Sequence, residues 1–254
     1  MPDIQSDFAK RIESLDLSLF DHILTQSDDG DRRAWLAVQR SVRKPTGYTY
    51  LEIGSHLGGS LQQHWVDPLC RNIISIDKRP IDMPDDRGKK VHYEGNSTAR
   101  MLSNLRRISA NSASTLTCFD NDASKIDPSQ ITAPPDYCFI DGEHTRSAVL
   151  SDFEFCLRVC APDAAICFHD DIVIYPAIAA ILSRLRKQGV PFTAGKLTGF
   201  TFGIFLRNCS AAHDPYILSH AHEGAGWVRR QRIRRMVPVA LHPAASWVAD
   251  LFRR

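Results

Sequence analysis

The stretch YTYLEIGSHLGGS, residues 48–60, decides how the rest of the chain is read. Its first six residues are aromatic, β-branched or apolar apart from Glu52, the composition of a buried strand. Gly54, Gly58 and Gly59 follow at once, where a chain leaving a strand must turn sharply and let a ligand approach its backbone. The spacing is Glu52-x-Gly54-x-x-x-Gly58 rather than G-x-G-x-x-G, which disfavours a dinucleotide enzyme. No lysine follows the glycines, so a phosphate-loop NTPase is ruled out.

Working outward, the same grammar repeats. Short apolar runs ending on or just before a polar residue occur at 72–77 (NIISID), 115–119 (TLTCF), 136–141 (DYCFID) and 164–170 (AAICFHD). Between them lie amphipathic stretches, at 58–68, 97–109, 143–159 and 175–188, whose spacing predicts helices. Alternating strand and helix give a parallel sheet covered on both faces, with every strand's C-terminal end on one edge. The last two runs, 191–197 and 200–208, have only Thr198 and Gly199 between them, which predicts an antiparallel hairpin. The expected fold is therefore α/β, a Rossmann-like, seven-stranded, mostly parallel sheet finished by a hairpin, with helices on both faces. Residues 1–45 read as a helical cap with helical stretches at Ser14–Leu24 and Arg32–Val42, residues 46–208 as the main domain, and 209–254 as a basic extension.

Composition narrows the class. The 254 residues are 43% hydrophobic and 24% charged, ordinary for a globular chain, and long enough to bury a core without disulfide or metal staples. The net charge of +2 is uneven: the last 29 residues hold seven arginines against Asp250, which leaves the rest mildly acidic. An acidic body argues against a general nucleic-acid surface. Arginines interleaved with Trp227 and Trp247 make the extension a candidate amphipathic helix, for packing on the body, for a second copy of the chain, or for an anionic membrane surface. The seven cysteines are odd in number, form no C-x-x-C pair and sit mostly in apolar runs, as reduced buried thiols do. No apolar run is long enough to span a membrane, and the acidic N-terminus is unlike a secretory signal. A cytoplasmic location is expected.

Asp77 closes the second strand, where a carboxylate can accept both hydroxyls of a ribose. With Gly54 and Gly58 before it, the order strand–turn–helix–strand–acid reads as a nucleoside-binding half. Over residues 45–208 the sequence resembles the class I S-adenosylmethionine-dependent methyltransferases. The resemblance implies that Glu52, Gly54, Ser55 and Gly58 cradle the methionine end of S-adenosylmethionine and that Asp77 holds its ribose. Asn121 and Asp122 then stand where the family has Gly-Asp near the adenine.

The fourth and fifth strand ends, FIDGEH (139–144) and FHDD (168–171), bring Asp141, Asp170 and Asp171 to neighbouring edges. Three converging carboxylates repel unless something neutralises them, and a hard divalent cation such as Mg²⁺ is the economical answer. In this respect the chain is similar to the metal-assisted small-molecule O-methyltransferases of catechol and antibiotic-sugar type. That likeness makes Asp141, Asp170 and Asp171 metal ligands, with Asp141 also beside the cofactor, and Glu143 or His144 the general base. The expected activity is methyl transfer to a hydroxyl of a small-molecule acceptor, with no nucleic acid involved. A noncatalytic adenosyl- or nucleotide-binding module, working through the basic extension at a membrane or a partner protein, is the alternative.

Overall fold

The computed structural model describes residues 7–79, 82–84, 88, 90–110 and 112–236. In chain order its elements are α1 (Phe8–Glu13), a 3₁₀ turn (Leu17–Phe20), α2 (Asp29–Val42), β1 (Tyr48–Ile53), α3 (Gln62–Trp65) and β2 (Cys70–Ile76). There follow β3 (Asp82–Pro84), β4 (Lys90–His92), α4 (Thr98–Ile108), β5 (Thr115–Phe119) and β6 (Tyr137–Ile140). The chain continues through α5 (Arg146–Val159), β7 (Ala165–Phe168), α6 (Asp171–Lys187), β8 (Phe192–Lys196) and β9 (Phe202–Leu206). It ends on α7 (Pro215–His220), β10 (His222–Glu223) and α8 (Gly224–Met236).

The main sheet runs β10-β8-β9-β7-β6-β1-β2-β5. Strands β5, β2, β1, β6 and β7 are mutually parallel, and β9 enters antiparallel between β7 and β8. The sheet therefore has eight strands where the sequence predicts seven, because His222 and Glu223 pair with Lys196 and Gly195 at the edge. A separate two-stranded ribbon, β3–β4, rises from the segment after β2.

Every residue of β1 is buried, as a central parallel strand covered on both faces requires. Its pleat sends Tyr48 and Tyr50 to one face and Leu51 and Ile53 to the other. The first face packs against α1, α2, Trp65, Met101 and Leu105. The second packs against α5, α6 and α8. The helices of residues 8–42 thus supply much of one side of the core: Phe8, Trp35, Leu36 and Val38 are all within 3% of full burial.

Two helix expectations fail, for local reasons. Residues 58–68 contain only the four-residue α3, because Gly58 sits at φ +88° and the Gln62 and Gln63 amides donate back to the carbonyls of Gly59 and Ser60 instead of facing out. Ser14–Leu24 is broken where Leu15 takes φ +53° and Asp16 caps the short 3₁₀ turn through the Ser18 N–H. Of the basic extension, α8 packs on α6 and β8 through Trp227, Val228 and Gln231, with Arg229, Arg232, Arg234 and Arg235 outward. Its Trp247 half lies outside the described residues. No described helix is long and apolar enough to cross a membrane.

Candidate active site

The C-terminal edge of the parallel strands opens into two adjoining cavities, of about 380 and 230 Å³, which share Gly54 and Asp77 as a common wall. Parallel α/β sheets place their ligand sites on this edge because the chain must leave each strand there through a loop.

Gly54 has φ +96°, and a Cβ on it would collide with the backbone carbonyl of Asp141. Only glycine lets the end of β1 lie this close to the end of β6. Asp77 accepts from the backbone N–H of His56 (2.9 Å) and of Arg79 (2.7 Å), so the carboxylate pins the glycine turn while lining both cavities. Arg79 backs it, donating to the carbonyl of His56 and to Asn96 and Asp77. Asn121 and Asp122 lie in the smaller cavity; Asp122 accepts from Ser124 and sits 3.7 Å from Lys78 Nζ. Ser55 lines the larger cavity.

Glu52 lines neither. It is fully buried, accepts from the Tyr50 hydroxyl at 2.8 Å and contacts the Ser60 hydroxyl. Burial lifts its carboxyl to about 8 despite those two hydrogen bonds, so it is a neutral structural acid beneath the turn rather than a ligand contact.

In the larger cavity Asp141, His144 and Asp170 converge, each offering a ligand atom within 4.8 Å of the others. His144 Nε2 lies 3.7 Å from Asp141 Oδ1 and 3.5 Å from Asp170 Oδ2, is buried and has no hydrogen-bond partner. Asp170 is the N-cap of α6 at φ +52°, ψ +37°, a left-handed conformation unusual for a residue with a side chain, and makes no side-chain cap. Behind this group His169 bridges two acids, Nδ1 to Asp141 Oδ1 and Nε2 to Asp31 Oδ2, both at 3.3 Å. Burial opposes the charge on His169, but the two carboxylates outweigh it and raise its pKa to about 11. Burial likewise opposes ionisation of Asp141, and His169 and His144 overcome it and hold the carboxyl at about 2. His144, buried but facing Asp141 and Asp170, is raised above its ordinary value.

Two sequence expectations are corrected here. Asp171 is buried and turned away from the cluster; its carboxylate pairs with Lys196 Nζ at 2.8 Å, so the third member of the constellation is His144. Glu143 points into the smaller cavity, 2.7 Å from Lys78 Nζ and bonded to Thr145, and is not among the residues lining the larger one. Burial works against its ionisation, but Lys78 holds the carboxyl below its usual range, the wrong direction for a base. Asp31 is the participant sequence reasoning missed. Its only mark is the Asp28-x-x-Asp31 pattern of a capping box, which α2 does use, and nothing in that pattern points across the fold to His169.

A family profile described as a methyltransferase domain matches residues 127–171, the stretch that carries Asp141, His144, His169 and Asp170. The structure of CalS11, a calicheamicin methyltransferase, aligns with TM-score 0.52 at 16% identity, covering 82% of this chain and 93% of that one. The chain shares the fold of that structure. An apo structure of CalS11, described as a TDP-rhamnose 3'-O-methyltransferase, aligns over 80% of this chain and 93% of that one at 14% identity, with TM-score 0.50. An uncharacterised protein of Acanthamoeba polyphaga mimivirus, R132, is 27% identical over 158 residues. That match takes in 61% of this chain, and it spans 66% of the relative's length, just under two thirds.

Proposed function

We propose that the protein is an S-adenosylmethionine-dependent methyltransferase that alkylates a hydroxyl of a small molecule. The observation that carries the reading is the groove formed by the two cavities, which joins Asp122, Asp77 and Gly54 to the Asp141–His144–Asp170 cluster along one sheet edge. S-adenosylmethionine, when bound, supplies a methyl group already activated by sulfonium charge, so the chain has to align the partners, exclude water and place a base. Asp77 and Asp122 would receive the ribose and adenine, and the turn at Gly54–Ser55 the methionine end. His144 takes the acceptor proton at Nε2, the buried nitrogen that lacks a partner, and Asp141 and Asp170 stabilise the resulting imidazolium. Because those carboxylates raise the His144 pKa, activity should climb as pH rises above about 6.5.

The clustering of three donor atoms within 4.8 Å supports a second reading, a divalent cation held by Asp141, His144 and Asp170 that would lower the pKa of the acceptor hydroxyl. Two carboxylates and one imidazole suit Mn²⁺ or Zn²⁺ better than Mg²⁺, which prefers all-oxygen shells. His169 Nδ1, 3.3 Å from Asp141 Oδ1, would share that acid with the cation.

Calorimetric titration of S-adenosylhomocysteine, with and without EDTA, tests both. The proposal expects binding that weakens at least tenfold on Asp77→Ala; absence of binding to the wild type would end it. A Mn²⁺ binding isotherm that disappears in Asp170→Ala would replace the base role of His144 with a ligand role.

A further inference from the structure

The larger cavity is electrostatically two-ended. Asp141, His144 and Asp170 close one end, while α4 presents Arg100, Asn104 and Arg107 to the same space. These three are spaced i, i+4, i+7, so they share one helix face, with Arg100 and Arg107 about 10 Å apart along the axis. The face is fixed from below, because Met101 and Leu105 are fully buried and Met101 lies under the Gly58 turn. Asn104 ties the helix to the glycine turn by donating to the Leu57 carbonyl at 3.1 Å, and its own oxygen accepts from Arg107 Nη2 at 2.6 Å, which steers that guanidinium. Across the turn, His56 lines the same cavity at φ +41°, with its Nε2 buried and without a partner. Burial, reinforced by the charges of Arg79 and Arg100 and opposed by Asp77, keeps that imidazole below its ordinary pKa.

We infer that the α4 end of the cavity, built from Arg100, Arg107 and His56, is an oxyanion subsite that takes a carboxylate or phosphate group of a ligand. Guanidiniums bind such groups through paired charge-assisted hydrogen bonds, and two of them 10 Å apart on long stems can converge on one group or span a diphosphate. The acids at the opposite end repel the same group, so the subsite also sets the direction in which a ligand lies. The inference deepens the proposed function, since an anion held here comes either from the acceptor or from the amino-acid carboxylate of the methyl donor.

The test compares the wild type with Arg100→Ala/Arg107→Ala, and with Arg106→Ala, an exposed arginine of the same helix that does not line the cavity. Three probes are titrated: inorganic pyrophosphate, S-adenosylhomocysteine, and 5′-methylthioadenosine, which lacks the amino-acid carboxylate. The double variant should lose on the order of tenfold or more in affinity for one of the first two probes. Methylthioadenosine should be unaffected throughout, and Arg106→Ala should match the wild type. Loss confined to pyrophosphate assigns the anion to the acceptor, and loss confined to S-adenosylhomocysteine assigns it to the donor. If both anionic probes behave alike in wild type and double variant, the subsite is refuted. An equal loss in Arg106→Ala, or a parallel loss for methylthioadenosine, also refutes it by tracing the effect to bulk charge or to the fold. Failure of the wild type to bind either adenosyl compound would overturn the methyltransferase proposal, while the pyrophosphate arm alone would still decide the subsite.

Discussion

Between Asp31 and Asp141, His169 is a buried cation with an acid on each side, and the three groups depend on one another. Loss of the His169 charge would leave two buried carboxylates facing each other, and loss of the Asp31 carboxylate would break an ion pair and weaken its bonds to the Phe200 N–H and the Thr201 hydroxyl; breaking such a buried network typically costs about 3–5 kcal/mol. Asp31→Asn should therefore lower the urea-unfolding free energy by about 3 kcal/mol, whereas Asp29→Asn, two residues away and exposed, should leave it within about 0.5 kcal/mol. The pH dependence has a definite sign. The raised pKa of His169 gives a contribution complete below about 6.5 and lost as pH climbs toward about 11, and the lowered pKa of Asp141 gives one complete above about 4 and lost as pH falls through about 2. Glu52 behaves differently: neutral and buried, it makes unfolding easier as pH rises from about 4.5 to about 8, with a slope of up to about 1.4 kcal/mol per unit. Glu52→Gln keeps the shape and removes the ionisation, so its melting temperature should fall less than that of the wild type between pH 5 and 8. At this scale the sequence marked Asp77, Asp122, Asp141, His144 and Asp170 because each ends a strand or follows one. It misassigned Asp171 and Glu143 because neighbours in sequence alternate direction at a strand end, and the capturing partners, Lys196 and Lys78, lie 25 and 65 residues away.

Among the elements, the glycine turn is held from outside by the N-terminal segment. Gln62 Oε1 accepts from the N–H groups of His22 and Ile23, and its Nε2 donates to the carbonyls of Ile23 and Gly59. One buried amide thus fastens residues 22–23 over the turn that lines the larger cavity. Gln62→Ala should cost about 2–4 kcal/mol and speed amide exchange at Ile23 more than at β1, as hydrogen-exchange mass spectrometry would show. The hairpin loop is clasped in a comparable way. Asp31 accepts from the Phe200 N–H at 2.6 Å and the Thr201 hydroxyl at 2.9 Å, and Thr198 donates to the Gly30 carbonyl at 2.6 Å. The strands and the longer helices were legible from alternation and amphipathic spacing. The glycine turn was legible too, but not its extension through residues 58–61 in place of helix, which depends on where two glutamine side chains find partners.

For the molecule as a whole, the sheet order and the hairpin follow from pattern, since a buried parallel sheet forces apolar runs and an edge for the polar residues that end them. The cap reading of the opening segment came from its helical spacing, but periodicity could not reveal that α1 and α2 bury so deeply in one face of the core, because a polar helix carries no sign of its partner. Deleting residues 1–45 would expose Tyr48, Tyr50, Phe139 and Phe205, which pack on that face, and should yield insoluble protein instead of a smaller folded domain. The same closure reaches forward along the chain. Asp31 and Trp35 meet Thr201, and Arg40 meets Asp214 at 2.7 Å, contacts between residues about 170 positions apart. During synthesis the opening helices therefore leave the ribosome long before their partners exist. Nascent chains arrested short of residue 200 should lack the Thr201 and Asp214 partners of α2 and stay more open to protease and chaperones than the finished chain.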